Sequence, residues 1–96
     1  MYHAFATAAV ATNSPSWVYV GNRAALTIQT RGITTATVKV YGSNREDDPG
    51  TGVNDIQIGA DITADGIVRI EGPYRWVKAK ITAWTTGTLY VEMQAN

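Results

Sequence analysis

Few side chains in this sequence are of the types that carry catalysis, and their spacing argues against it. The one histidine is His3, and there is no cysteine. A Ser–His–acid arrangement would have to join His3 to Ser14, Ser16 or Ser43. None of these lies in the tight strand-to-helix turn that presents a nucleophilic serine. His3 therefore reads as a terminal surface or contact residue, and the chain is not expected to be an enzyme. Glu46, Asp47 and Asp48, with Asn44, Asn54 and Asp55, supply the oxygen ligands that Ca²⁺ takes from flexible loops. They lack the alternating spacing and closing glutamate of an EF-hand loop, so a solvated acidic loop without a metal is expected. Gly50-Thr51-Gly52 is too short to cradle a phosphate and leads into no helix. No cofactor is expected.

Aromatic side chains offer a different chemistry, that of contact. Trp76, Trp84 and Tyr90 fall on the polar parity of the C-terminal region, beside Lys78, Lys80 and Thr82. Exposed rings there could stack on sugars or bases, or bury in a protein partner. Trp76 and Trp84 are separated by roughly 27 Å along one strand, at ~3.3 Å per residue. That is too far for one compact sugar platform. It suits either a subunit interface or two rings that each fold over a sheet end to cap the core.

The elements that must position these residues are strands. Val77, Ala79, Ile81 and Ala83 alternate with polar or aromatic neighbours, as do Leu89, Val91, Met93 and Ala95, the period of a half-buried strand. With Thr85-Thr86-Gly87 as a three-residue loop, Trp84 faces Thr88. The pairs are then Ala83–Leu89, Ile81–Val91, Ala79–Met93 and Val77–Ala95 on one face, and Thr82–Tyr90, Lys80–Glu92 and Lys78–Gln94 on the other. Gly87 would take the left-handed position of that loop. A two-residue loop would mix the faces.

Upstream, 16–20 and 24–30 read as strands about a Gly21-Asn22 turn, which places Trp17 opposite Leu26 and Tyr19 opposite Ala24. Both aromatics then face the core with Ile28, whereas a three-residue loop would turn them outward; the core placement is favoured. Arg31-Gly32 is a bend before a strand over 34–41. Residues 42–54 form the one long loop, 55–58 a short strand, Asp65-Gly66 a tight turn, and Gly72-Pro73 a break. Residues 1–15 are rich in alanine, with neither parity polar. They form either a first strand or an arm on a neighbouring subunit, with the domain proper over 16–96. The expected fold is all-β: a single small antiparallel β-sandwich or jelly-roll-like barrel of about eight short strands.

Ninety-six residues make one domain, able to bury roughly 60–65% of its unfolded surface. Eight acidic and eight basic side chains cancel. A dispersed, neutral balance argues against a duplex or polyphosphate as the main partner. No run approaches a membrane span. Met1-Tyr2-His3-Ala4-Phe5-Ala6 lacks the basic start of a signal peptide, so synthesis in a cytoplasm is expected. Charged residues are only 17% of the chain, a proportion that suits an exterior partly covered by neighbours.

Val38-Lys39-Val40-Tyr41-Gly42-Ser43-Asn44, Ile58 to Ile67 (IGADITADGI), Gly72 to Ile81 (GPYRWVKAKI) and Thr86-Gly87-Thr88-Leu89-Tyr90-Val91 together resemble the small β-sandwich virion proteins of tailed bacteriophages. The resemblance covers roughly 34–94 and leaves 1–33 unmatched. It implies a structural virion protein made in the host bacterial cytoplasm. The role implied first is a capsid decoration or cement protein, a dimer or trimer bound to a major capsid protein. A tail, neck or baseplate component is the alternative. No catalytic residues carry over, and no nucleic acid or membrane partner is implied. A carbohydrate-binding module would share the fold class and the exposed rings, but usually comes with an export signal or a fused enzyme. The residues expected to make contacts are Tyr2, His3, Phe5, Asp47, Trp76, Trp84 and Tyr90.

Overall fold

Alternation of apolar and polar residues becomes strand almost throughout. A computed structural model describes residues 1–50 and 55–96, with no helix among them; Asn54 of the acidic set lies outside the described residues. The strands are β1 (Tyr2–Ala9), β2 (Val18–Ser43), β3 (Ile56–Gln57) and β4 (Gly66–Ala95). They form one antiparallel sheet in the order β1-β4-β2-β3. The all-β antiparallel class agrees with the sequence reading, but the division into about eight short strands does not appear. β2 and β4 run 26 and 30 residues, because positions that read as chain breaks keep ladder partners. At Arg31-Gly32 and Thr85-Gly87 the two strands bend together, pairing Arg31 with Tyr90, Ile33 with Gly87 and Thr35 with Thr86.

A straight 30-residue strand would reach roughly 100 Å at ~3.3 Å per residue, yet the longest dimension of the molecule is 36 Å. The sheet must therefore fold back on itself. In one half, 26–30 of β2 lies between 66–70 and 91–95 of β4, with β1 on the far edge. In the other half, 36–43 pairs with 76–84, and β3 lies outside it. Gly32 (φ 86°) and Gly87 (φ 116°) sit back to back where the halves join. A Cβ on Gly32 would overlap the Thr88 carbonyl oxygen, and one on Gly87 would lie 2.6 Å from the Gly32 oxygen. Close backbone approach, with positive φ, requires glycine here. Asp65 fastens the same corner, its carboxylate accepting from the Gly32 and Ile33 N–H groups at 3.1 and 2.8 Å.

The inner parity of both halves supplies the core: Leu26, Ile28, Val38, Val40, Val77, Ala79, Ile81, Leu89, Val91 and Met93 are at most 2% exposed. Burying one such side chain contributes about 1.5–3 kcal/mol. β1, with its edge outward, slips register between Ala4 and Ala6 and between Ala6 and Ala9, and Ala8 takes φ 54°. Such bulges break up an edge that could otherwise recruit another strand. The chain ends are tied by paired bonds of 2.8 Å between Met1 and Ala95.

Several pairings differ from the sequence reading. The C-terminal hairpin is not formed: 92–94 has β1 on one edge and 27–29 on the other, so neither edge is open to 78–80. Ala83 pairs with Thr37 and is exposed. The 16–20/24–30 hairpin is likewise absent, since Leu26 is held by Ile70 and Ala95. Trp17 is buried at 7% exposure, but Tyr19, two residues on, is 54% exposed and pairs with Trp76 instead. The Lys80–Glu92 pair is replaced by Lys80–Asp55 and Arg31–Glu92, because the parts of β4 carrying Lys80 and Glu92 lie in different halves.

Candidate protein-interaction surface

The outer face of the first half is built from β1, the end of β4 and the middle of β2. The register aligns Ala4, Glu92, Gln29 and Ile67 in one row and Tyr2, Gln94, Thr27 and Arg69 in the next. Tyr2 donates its hydroxyl to Glu92 Oε2 at 2.7 Å. Arg31 Nε donates to Glu92 Oε1 at 2.9 Å, and its guanidinium lies 4.2 Å from the centre of the Tyr90 ring. Two of the expected contact residues, Tyr2 and Tyr90, are thus joined through Glu92 and Arg31. The hydrogen bond from Tyr2, then that from Arg31, holds the Glu92 carboxyl below the usual carboxylate range. The same bond to Glu92 pushes the Tyr2 phenol up, and Glu92 also raises Arg31. Beside this network Tyr2 and Ile67 remain 61% and 67% exposed, so the face combines a fixed polar centre with uncovered apolar surface.

Around Lys78, the outer face of the second half is covered by the chain itself. Asn13 joins the edge of β4 as a strand residue would, its backbone N–H donating to the Ile81 carbonyl and its side chain accepting from the Ile81 N–H at 2.7 Å. The segment thus tethered carries Trp17 over Lys78, with 4.7 Å from ammonium to ring centre. Trp17 Nε1 donates to the Gly50 carbonyl. Asp55 reaches both lysines, at 3.0 Å from Lys78 and 3.3 Å from Lys80, and Tyr41 lies beneath the two ammonium groups. Lys78 is consequently only 3% exposed. Burial of a charge requires a partner, and Asp55 provides it. Alternation alone gave no sign of this cluster: Lys78 sits on the polar parity, and its cover comes from residues distant in sequence.

The remaining expected contact residues separate. Phe5 is in the core at 6% exposure, packed edge-on by His3 at 4.8 Å. Trp84 is half-buried against the core and donates Nε1 to the Gly87 carbonyl at 2.9 Å, in the manner of a ring capping a sheet end. Trp76 is half-buried, donates Nε1 to the Arg45 carbonyl at 3.0 Å, and meets Tyr19 edge to face at 5.2 Å and 68°. Asp47 is exposed in the adjoining loop. Of the seven, Trp76 and Asp47 share one end of the molecule, and Tyr2 and Tyr90 one face. Tyr19 belongs with Trp76 at the surface, not in the core where a Gly21-Asn22 hairpin would put it, because that hairpin does not form.

No protein-family model matches the sequence, and no curated protein matches it. Among solved structures, the SPBc2 prophage-derived protein YomS has the same fold, with a TM-score of 0.69 over 100% of this chain and 92% of that one at 13% identity. The chain therefore shares its fold with a protein of phage origin.

Proposed function

We propose that the chain is a structural protein of a tailed-bacteriophage particle, a small β-sandwich that binds the capsid lattice as a decoration or cement protein. The observation that carries this is the full-length likeness of fold to a prophage-derived protein, joined to the strand and turn phrases over 34–94. The surface supports a contact role: Tyr2, Tyr19 and Ile67 each keep more than half of their area exposed on a molecule of zero net charge. A carbohydrate platform fits less well, because Trp76 and Trp84 are each engaged within the chain. The mechanism is stapling by repetition. Modest contacts at many equivalent sites sum through effective concentration, so the shell resists expansion although each contact is weak.

The test is cosedimentation of the purified chain with expanded heads assembled without it. Saturation at a fixed number of copies per capsid subunit supports the proposal. Absence of binding to heads, with recovery of the chain in tails or necks, would move it to the alternative position. Binding to neither contradicts a virion role.

A further inference from the structure

The sixteen charged side chains all lie among the described residues, and most are matched within the chain. Arg31 pairs with Glu92, Lys39 with Asp61, Arg69 with Glu71, and Lys78 and Lys80 with Asp55. Asp65 is occupied by the Gly32 and Ile33 N–H groups. Among the described residues, three cations have no ion-pair partner: Arg23, Arg45 and Arg75. Besides Asp65, three carboxylates are likewise unmatched by a cation: Glu46, Asp47 and Asp48, the last accepting from the Gly50 N–H at 2.9 Å.

These six residues gather at one end of the sheet, around Tyr19 and Trp76. The register row there is Tyr19, Trp76 and Ser43. Arg45 accepts the Trp76 indole proton through its carbonyl, and Arg75 is held to Asn44 through its N–H at 3.3 Å. Arg23 pairs with Tyr74 across the ladder. Its Nη1 and the Tyr19 ring flank Gly21, at 3.5 and 3.3 Å from where a Cβ would stand. Glu46, Asp47 and Asp48 follow Arg45 directly and are exposed.

We infer that this end of the molecule is a docking surface for a second copy of the same chain, related by a two-fold axis. A patch of one sign calls for a partner of the opposite sign. Here three unmatched cations adjoin three unmatched anions on a neutral molecule, and a two-fold axis brings each group onto its complement in the other copy. Tyr, Trp and Arg are also the residues that dominate binding energy at protein contacts, and Tyr19 stands 54% exposed in their midst. The contact is independent of any place in a virion, so its failure would leave capsid binding to be judged by its own experiment.

Sedimentation velocity on the full chain decides the matter. A dimer that weakens between about 0.05 and 0.5 M salt is expected, as screening shortens the reach of charge. Arg23→Glu/Arg75→Glu and, separately, Glu46→Lys/Asp47→Lys should each weaken the dimer by about tenfold or more. Each variant should retain the wild-type far-ultraviolet circular dichroism. An equimolar mixture of the two should restore dimerisation, because both reversed patches then meet their complements. A wild-type monomer at low salt, a dimer indifferent to both reversals, or a mixture that stays monomeric would overturn the inference.

Discussion

Replacing Asp55 by asparagine should destabilise the chain by about 3 kcal/mol, a breaking of a buried pair. The structure sets the size. Lys78 Nζ stands 3.0 Å from Asp55 Oδ1, with only 4% of the Lys78 side chain and 11% of the Asp55 side chain exposed. At that separation and an effective dielectric of about 20, the attraction is about 5 kcal/mol. Relief of the carboxylate's own desolvation returns part of it, and the Trp17 ring 4.7 Å away still favours the ammonium by about 1 kcal/mol. With a urea slope of about 1.5 kcal/mol/M, the midpoint should fall by about 2 M. Asp55→Asn/Lys78→Met should recover to within about 1 kcal/mol of the parent, since an apolar stem needs no counter-ion. Equilibrium urea unfolding of the parent, the single variant and the double variant measures both numbers. A cost of about 0.5 kcal/mol or less for Asp55→Asn, the value of an exposed pair, would refute the reasoning and mean that the Lys78–Asp55 pair is open to water.

Gly32→Ala should cost about 3 kcal/mol or more by thermal unfolding, because its Cβ meets backbone. Gly50→Ala, also at positive φ but in open space, should cost only about 1 kcal/mol. Glu92, held low by Tyr2 and Arg31, adds stability that is complete above the ordinary carboxylate value of about 4.3 and is lost as pH falls through its depressed value. Denaturation followed against pH should lose that portion of its acid dependence in Glu92→Gln, and a side-chain NMR titration should find Glu92 ionising below the ordinary carboxylate value. Trp84→Phe keeps the ring over the core but loses the bond to Gly87. Its unfolding free energy should fall by about 1 kcal/mol.

Which residues face inward was legible in the sequence, because strand parity is a local property. Val77, Ala79, Ile81, Leu89, Val91, Met93 and Ala95 are all buried. Which strands pair was not legible. The Thr85-Thr86-Gly87 segment has the composition of a hairpin turn, but Gly87 serves a close crossing with Gly32 instead, and that neighbour lies far off in sequence. Ala83 shows the limit even of parity: it lies near the bend and is exposed. The same long-range pairing explains the surface. Tyr2 meets Glu92, and Tyr19 meets Trp76, only because β4 runs through both halves. The exposed rings were visible as types, but the groups they would join were not.

Electron microscopy of phage particles made with and without this chain bears most directly on its role. Difference density of about ten kilodaltons, the mass of one chain, should repeat at equivalent positions on the outer capsid lattice and vanish from particles lacking the chain. Identical capsid maps from the two preparations would contradict a decoration role.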